Sequence, residues 1–253
     1  MAEENQFKRL RYYNALMGSF HLAQGTVIVA LSNDFKLPVT ASFLTGPPGS
    51  PPAAPEVLFE VPLGFAVAAF LFISALAHYI IVMPGVFPWY VKNLKRTRNY
   101  ARWIEYAVSS SLMVVLIGML PGVFDVAAII AIFGVNASMI LFGLLMEHYE
   151  EPGNPNWMPF SFGCLAGIVP WIALGVYLWS PGSAAEPPGF VYVIFASMFV
   201  FFNSFAVNMV LQYKKVGPWR DYLFGERAYV LLSLTAKSLL AWLVFANTLV
   251  PTA

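Results

Sequence analysis

Charge is what this chain lacks most. Only 11% of its 253 residues are Asp, Glu, Lys or Arg, where soluble domains carry about 25%. So few ionised groups cannot cover a water-exposed surface, and an integral membrane protein is expected. Cysteine is nearly missing. Cys164 is the single thiol and falls inside an apolar stretch, so no intrachain disulfide can form and a zinc site of several thiolates is excluded. No basic tract suggests a nucleic-acid partner, and a net charge of +1 says nothing for one. No internal or inverted repeat is visible, which disfavours the common secondary-transporter folds.

What the chain has is apolar length, with 59% hydrophobic residues and a mean hydropathy of +0.68. A bilayer core of about 30 Å needs about 20 apolar residues per helix. Seven stretches qualify, at 10–31, 57–83, 101–120, 123–146, 158–179, 190–213 and 228–250. The first is the weakest, interrupted by His21 and Gln24. It follows Lys8, Arg9 and Arg11 as a signal peptide would, but no small-x-small cleavage site comes after it, so a retained span is expected. Pro62, Pro84, Pro121, Pro159, Pro181 and Pro188 fall near span ends, where proline is tolerated or stops a helix. Pro170 lies inside the fifth span and predicts a kink. The expected fold is all-α, a seven-transmembrane-helix bundle occupying residues 1–253 as a single domain.

Lysine and arginine set the orientation. Of fourteen such residues, Lys237 lies within a span and Lys36 follows the first one. The remaining twelve all fall on the side of the N-terminus. A cell-membrane protein with a cytoplasmic N-terminus and an extracellular C-terminus is expected, and only an odd number of spans gives that split. The first outer loop, 32–56, is long and contains Pro38, Pro47, Pro48, Pro51, Pro52 and Pro55. Its 37–44 segment has strand character. It either forms a hairpin that caps the bundle or meets a partner, or stays a loose proline-rich loop.

Lys237 stands near the middle of the last span, with no other charged residue in 228–250. A charge at that depth costs roughly 2.5–3.5 kcal/mol on insertion scales and marks function. Such a lysine needs an anion or a covalent change, and a Schiff base with an aldehyde is one route. Glu105 in span three is its natural partner, for function or as a structural ion pair. Counting from Arg102 and Arg227, the two differ in depth by about 10 Å at about 1.5 Å per residue, which the lysine stem must cover. Ser233, four residues before Lys237, shares its helix face and bonds either the lysine nitrogen, Glu105 or its own helix. His21 in span one, with His78 and Ser74 in span two, forms either a proton-relaying cluster or packed core. Two histidines alone do not make a metal site, and none is expected. Glu60 and Asp125 are read as interfacial. Asn136, Met139 and Gly143, then Pro170 and Trp171, then Phe202, Asn203 and Phe205, and finally Trp242 could wall a long apolar ligand or simply pack. Gly134, Ala137 and Gly143 suit close helix contact.

This frame, with Lys237 in span seven and Glu105 in span three, resembles a microbial-type rhodopsin. Glu226-Arg227-Ala228-Tyr229 followed by Ser233-Leu234-Thr235-Ala236-Lys237-Ser238 resembles the seventh helix of heliorhodopsins. Arg102-Trp103-Ile104-Glu105-Tyr106 resembles their third. The strings 133–143, 167–171 and 201–205 are similar to helices four, five and six, and the N-terminus-inside orientation fits the same family. The resemblance implies all-trans retinal on Lys237 as a protonated Schiff base, with Glu105 as counterion and Ser233 beside it. It further implies light-driven isomerisation toward 13-cis and a proton network of Glu105, His21, Ser74, His78, Tyr106 and Ser109. Met139, Trp171 and Phe202 would line the chromophore. The first loop would form a short outer sheet and help a homodimer in the lipid bilayer.

A proton pump needs an acceptor and a separate donor. The helix face beyond Glu105 continues through Ser109, Leu112 and Leu116 with no second carboxylate. The expectation is therefore a light sensor, not an enzyme, signalling to a cytoplasmic partner without pumping. A light-gated conductance and a transporter without photochemistry, in which Lys237–Glu105 is a coupling pair, are the alternatives.

Overall fold

The computed structural model describes residues 2–51, 53–179 and 186–250. Helix α1 spans Ala2–Leu31 and is followed by strands β1, Lys36–Ala41, and β2, Glu56–Pro62. Then come α2, Leu63–Val82; α3, Phe87–Leu94; α4, Tyr100–Met119; and α5, Val126–Tyr149. The remaining helices are α6, Met158–Trp179; α7, Gly189–Tyr213; and α8, Tyr222–Val244, continued by one π turn over Phe245–Leu249. Seven helices are long and apolar enough to cross a membrane. The eighth, α3, is short and was not expected from the sequence. The chain is a multi-pass membrane protein built as a bundle of seven spans.

The spans start and stop where local chemistry dictates. Asp125 caps α5 by accepting from the Ala127 and Ala128 amides, and Asn99 caps α4 at Arg102 N. These contacts satisfy amides that a helix start leaves open. Pro62 and Pro188 occupy N-cap positions, Pro84 and Pro121 follow helix ends, and Pro159 sits in the first turn of α6. Pro170 lies within α6, which runs through it. Pro181 and Pro52 lie outside the described residues.

The second stretch is shorter as a helix than its apolar run. Residues 57–62 are rich in Val, Leu and Phe, carry Glu60 and end on a proline; they pair as β2 against β1 in an antiparallel hairpin, and the helix begins only at Leu63. Glu60 accordingly sits on the strand, paired with Lys36 at 3.3 Å. On β1, Leu37, Val39 and Ala41 are buried and close one end of the bundle. Thr40 bonds the Phe124 carbonyl and ties the hairpin to the start of α5. The first and last spans begin earlier than their apolar runs, because polar first turns extend each helix beyond the lipid-facing part.

Helix α4 is the most enclosed span. Its Met113, Val114 and Ile117 join Val67, Phe70 and Leu71 of α2 and Leu240, Ala241 and Val244 of α8 in one apolar core under the hairpin. At the opposite end, α3 lays Tyr90 and Leu94 against Phe7, Leu10, Ile81 and Leu223. Gly143 is required for close approach. A Cβ there would stand 2.5 Å from the Trp103 ring. Gly134, expected at a helix contact, faces open space.

Candidate functional site

The polar centre of the bundle is built from α1, α2, α4 and α8. Lys237 Nζ lies 2.9 Å from Glu105 Oε1 and donates to Ser233 Oγ at 2.9 Å. Ser74 of α2 donates to the same carboxylate oxygen at 2.6 Å. The ammonium also sits 5.1 Å from the centre of the Tyr106 ring. The buried Ser109 hydroxyl, one turn further along α4, has no hydrogen-bond partner of its own.

The lysine stem covers the expected difference in depth between Glu105 and Lys237, and the register of α4 on α8 shortens it. Asn99 meets Glu226 and Tyr106 donates to the Tyr229 carbonyl, which brings Glu105 level with Ser233. Helical side chains lean toward the N-terminus, so the lysine stem needs to span only one turn.

Beside this pair, the rings of His21 and His78 stack at 5.7 Å between centres. Asn14, which sequence reasoning passed over, holds His78 through an Oδ1–Nδ1 contact of 2.9 Å. Its amide nitrogen is already used on the Leu10 carbonyl, so Asn14 Oδ1 can only accept. The His78 hydrogen is thereby assigned to Nδ1, leaving Nε2 as an acceptor. Both His21 ring nitrogens are buried without a protein partner. No group of three or more His, Cys, Asp or Glu that could hold a metal occurs among the described residues.

Two adjoining cavities lie on the other side of Lys237. The smaller, about 40 Å³, touches Lys237, Ser233 and Ala236. The larger, about 170 Å³, is walled by Trp103, Met139, Gly143, Gly167 and Trp171. Tyr106, Ile140, Phe202 and Phe205 line both, so the amine tip and the aromatic chamber share a boundary. Trp171 meets Phe195, Phe199 and Phe202 edge-on at about 5.3–5.5 Å between ring centres.

Three residues expected along such a wall stand elsewhere. Asn136 donates to Ser110 and Ser111 and clamps α5 to α4. Trp242 points away to bond Gln24 of α1 at 2.9 Å. Pro170 is buried next to Trp171 without lining either cavity.

A second buried cluster was not read from the sequence at all. Arg102 of α4 pairs with Glu147 of α5 at 2.6 Å and with Glu226 of α8. Trp103 Nε1 and the Asn99 amide donate to Glu147, and Tyr222 donates to its other oxygen. The guanidinium lies over the Trp103 and Tyr229 rings, both of which line the larger cavity. Arg102 and Glu226 read as span-end charges, and Glu147 precedes Glu150 and Glu151 like any interfacial acid. Only the three-helix packing brings them together. Outside the spans, burial and the Glu226 carboxylate push the Tyr90 phenol well above the usual tyrosine range.

A family model described as Heliorhodopsin matches residues 10–249. No curated protein matches the chain. Among solved structures, the crystal structure of a light-driven proton pump from Leptosphaeria maculans is similar over 94% of each chain, with a TM-score of 0.64 and 15% identity. At that identity the likeness concerns the fold alone.

Proposed function

The chain belongs to the heliorhodopsin family of rhodopsin-type retinal photoreceptors, and on that premise we propose that light acts through Lys237 as a signal, without net ion transport. The observation that carries this reading is the buried amine. Lys237 Nζ is held at 2.9 Å by both Glu105 and Ser233 and borders an aromatic-walled space that continues to Trp171.

These residues fit retinal. A primary amine at the edge of an apolar chamber suits covalent attachment of a long conjugated aldehyde. When bound as an all-trans protonated Schiff base, retinal supplies visible absorption and a light-driven change of shape toward 13-cis. The protein supplies the rest. Glu105 holds a compensating negative charge, and Ser74 fixes the carboxylate oxygen that faces Nζ. Ser233 orients the nitrogen from one turn away. Met139, Gly167 and Trp171 shape the far end. Glu105 is the first acceptor for a proton leaving Nζ, and the Nε2 atom of His78 and the one unprotonated ring nitrogen of His21 offer further places for it nearby.

A cycle without transport is supported by the face of α4 beyond Glu105. Ser109, Leu112 and Leu116 provide no second carboxylate to act as donor. The charge asymmetry supports a cytoplasmic N-terminus, and with it an output to a cytoplasmic partner from the α3 end of the bundle. On β2, Val57, Leu58 and Phe59 are exposed, which supports a homodimer through the hairpin. The test is to add retinal to purified protein, then record a light-minus-dark spectrum and, in a voltage-clamped cell, the photocurrent. A visible band with no sustained current is expected. A colourless protein would leave Lys237–Glu105 as an ion pair without photochemistry, and a sustained current would replace sensing by conduction.

A further inference from the structure

The first turns of α1 and the short helix α3 enclose a groove of about 780 Å³ at the N-terminal end of the bundle. Its floor is apolar, formed by Phe7, Phe87 and Val91. Its rim is basic, with Lys8, Arg11, Lys92, Lys95 and Arg96 facing a single acid, Glu4. Some of these cations are already engaged. Lys8 pairs with Glu4 at 3.1 Å. Arg11 donates twice to the Val82 carbonyl and lies over Phe87, which makes it a fixed wall. Lys95 Nζ stands 5.6 Å from the centre of the Phe7 ring. Lys92 and Arg96 are exposed and form no ion pair with an acid among the described residues.

The groove also lies at a particular level. Helix α3 follows the end of span α2 within a few residues and is pinned inward by Tyr90 and Leu94. Trp89 on its outer side is 45% exposed, as tryptophans are at the headgroup layer. Ile80 and Met83, at the adjoining end of α2, are exposed and apolar. A ligand here would meet cations at its polar end and a greasy helix surface directly below. A free anion would use only the first of these features. An acidic protein segment would leave the apolar floor unmatched.

We infer that the α1–α3 groove binds the phosphodiester headgroup of an anionic phospholipid, with the acyl chains lying along the outer face of α2. Lys92 and Arg96 supply the charge that selects it, while Arg11 and Phe87 shape the wall.

The test is native mass spectrometry of the full-length protein in detergent, titrated with phosphatidylglycerol or phosphatidylcholine. The wild type should retain phosphatidylglycerol in preference. K92Q/R96Q should lose about tenfold of that affinity, because each basic group near a membrane surface contributes several-fold. K92R/R96K should keep it, and the charge-matched R9Q/K214Q, outside the groove, should bind like wild type. Phosphatidylcholine binding should be alike throughout, with circular dichroism verifying that each variant is folded. Equal affinity for the two lipids, or equal losses in K92Q/R96Q and R9Q/K214Q, would overturn the assignment. Displacement of the lipid by millimolar inorganic phosphate would reassign the groove to a free anion.

Discussion

At the scale of single residues, Lys237 could be found because it is a charge with nowhere to go. An ammonium in the middle of 23 apolar-rich residues stands out in any hydropathy reading, and the carboxylate in span three is the partner such a charge requires. Replacing the nitrogen should remove the attachment point: Lys237→Ala, supplied with retinal, is expected to show no visible band and no covalent retinal adduct by mass spectrometry. A retained band would move the attachment elsewhere. The counterion role proposed for Glu105 predicts a different effect. A negative charge close to the nitrogen stabilises the ground state, in which positive charge sits there, more than the excited state, in which it moves away. Glu105→Gln should therefore shift the band to the red, and an unchanged spectrum would remove Glu105 from the counterion role. Asn14 and Glu147 were not visible in the same way. Asn14 is an uncharged residue at the polar end of a weak span, and Glu147 sits among interfacial acids. What makes each of them matter is a neighbour on another helix.

At the scale of elements, the seven spans were legible because apolar length is a local property, whereas strand β2 was hidden inside the second of them. Residues 57–62 and Leu63–Val82 read as one hydropathic run, and only Glu60 and Pro62 mark the division. Helix α3 escaped for the opposite reason. Eight residues are too few to register as a span, and its value lies in the Tyr90 and Leu94 contacts. The Tyr90 phenol, held up by burial and the nearby Glu226, makes this end of the bundle alkali-sensitive. In the unfolded chain tyrosine ionises near about pH 10. The folded protein keeps the proton longer, so the neutral phenol contributes stability that is fully present below that pH and declines as pH rises above it. Tyr90→Phe should flatten the loss of thermal stability between about pH 9.5 and 11 relative to wild type, read from Tm across that range. Identical pH profiles would show that the phenol is not the titrating group. A second element-level consequence concerns the α4–α5 contact. Trp103 cannot yield easily to a Cβ at Gly143, because its Nε1 is tied to Glu147 and its ring is covered by Arg102. Gly143→Ala should cost about 1–3 kcal/mol, as overpacking does, seen as a lowered Tm. A variant as stable as wild type would mean that the indole is free to move.

At the scale of the whole molecule, the polar groups are unevenly distributed along the bundle. From the hairpin inward, the centre is filled by Val67, Leu71, Met113, Ile117, Leu240 and Val244. These side chains offer no place for a proton between Lys237 and β1. The buried groups that can ionise begin at Lys237 and continue toward the opposite end through Glu105 and the histidines, and then to Arg102 with its two carboxylates, whereas Ser109, Ser110, Ser111 and Asn136 on the hairpin side of Glu105 are neutral hydrogen-bonding groups. In the proposed cycle, a proton that leaves Nζ finds titratable groups to wait on at one side only, and the same side returns it. Net transport needs entry from one face and exit at the other, and the apolar half provides neither. Continuous illumination of the retinal-loaded protein in a voltage-clamped membrane is therefore expected to give at most a brief transient and no sustained current at any holding potential. His21→Phe with His78→Phe should change how fast the proton returns, followed by flash spectroscopy, and should leave the sustained current at zero. A steady current in the wild type would mean that the apolar half opens during the cycle. Unaltered kinetics in the double variant would mean that the stacked histidines only pack. The first outcome would end the non-transporting reading, and the second would end the histidines' part in it.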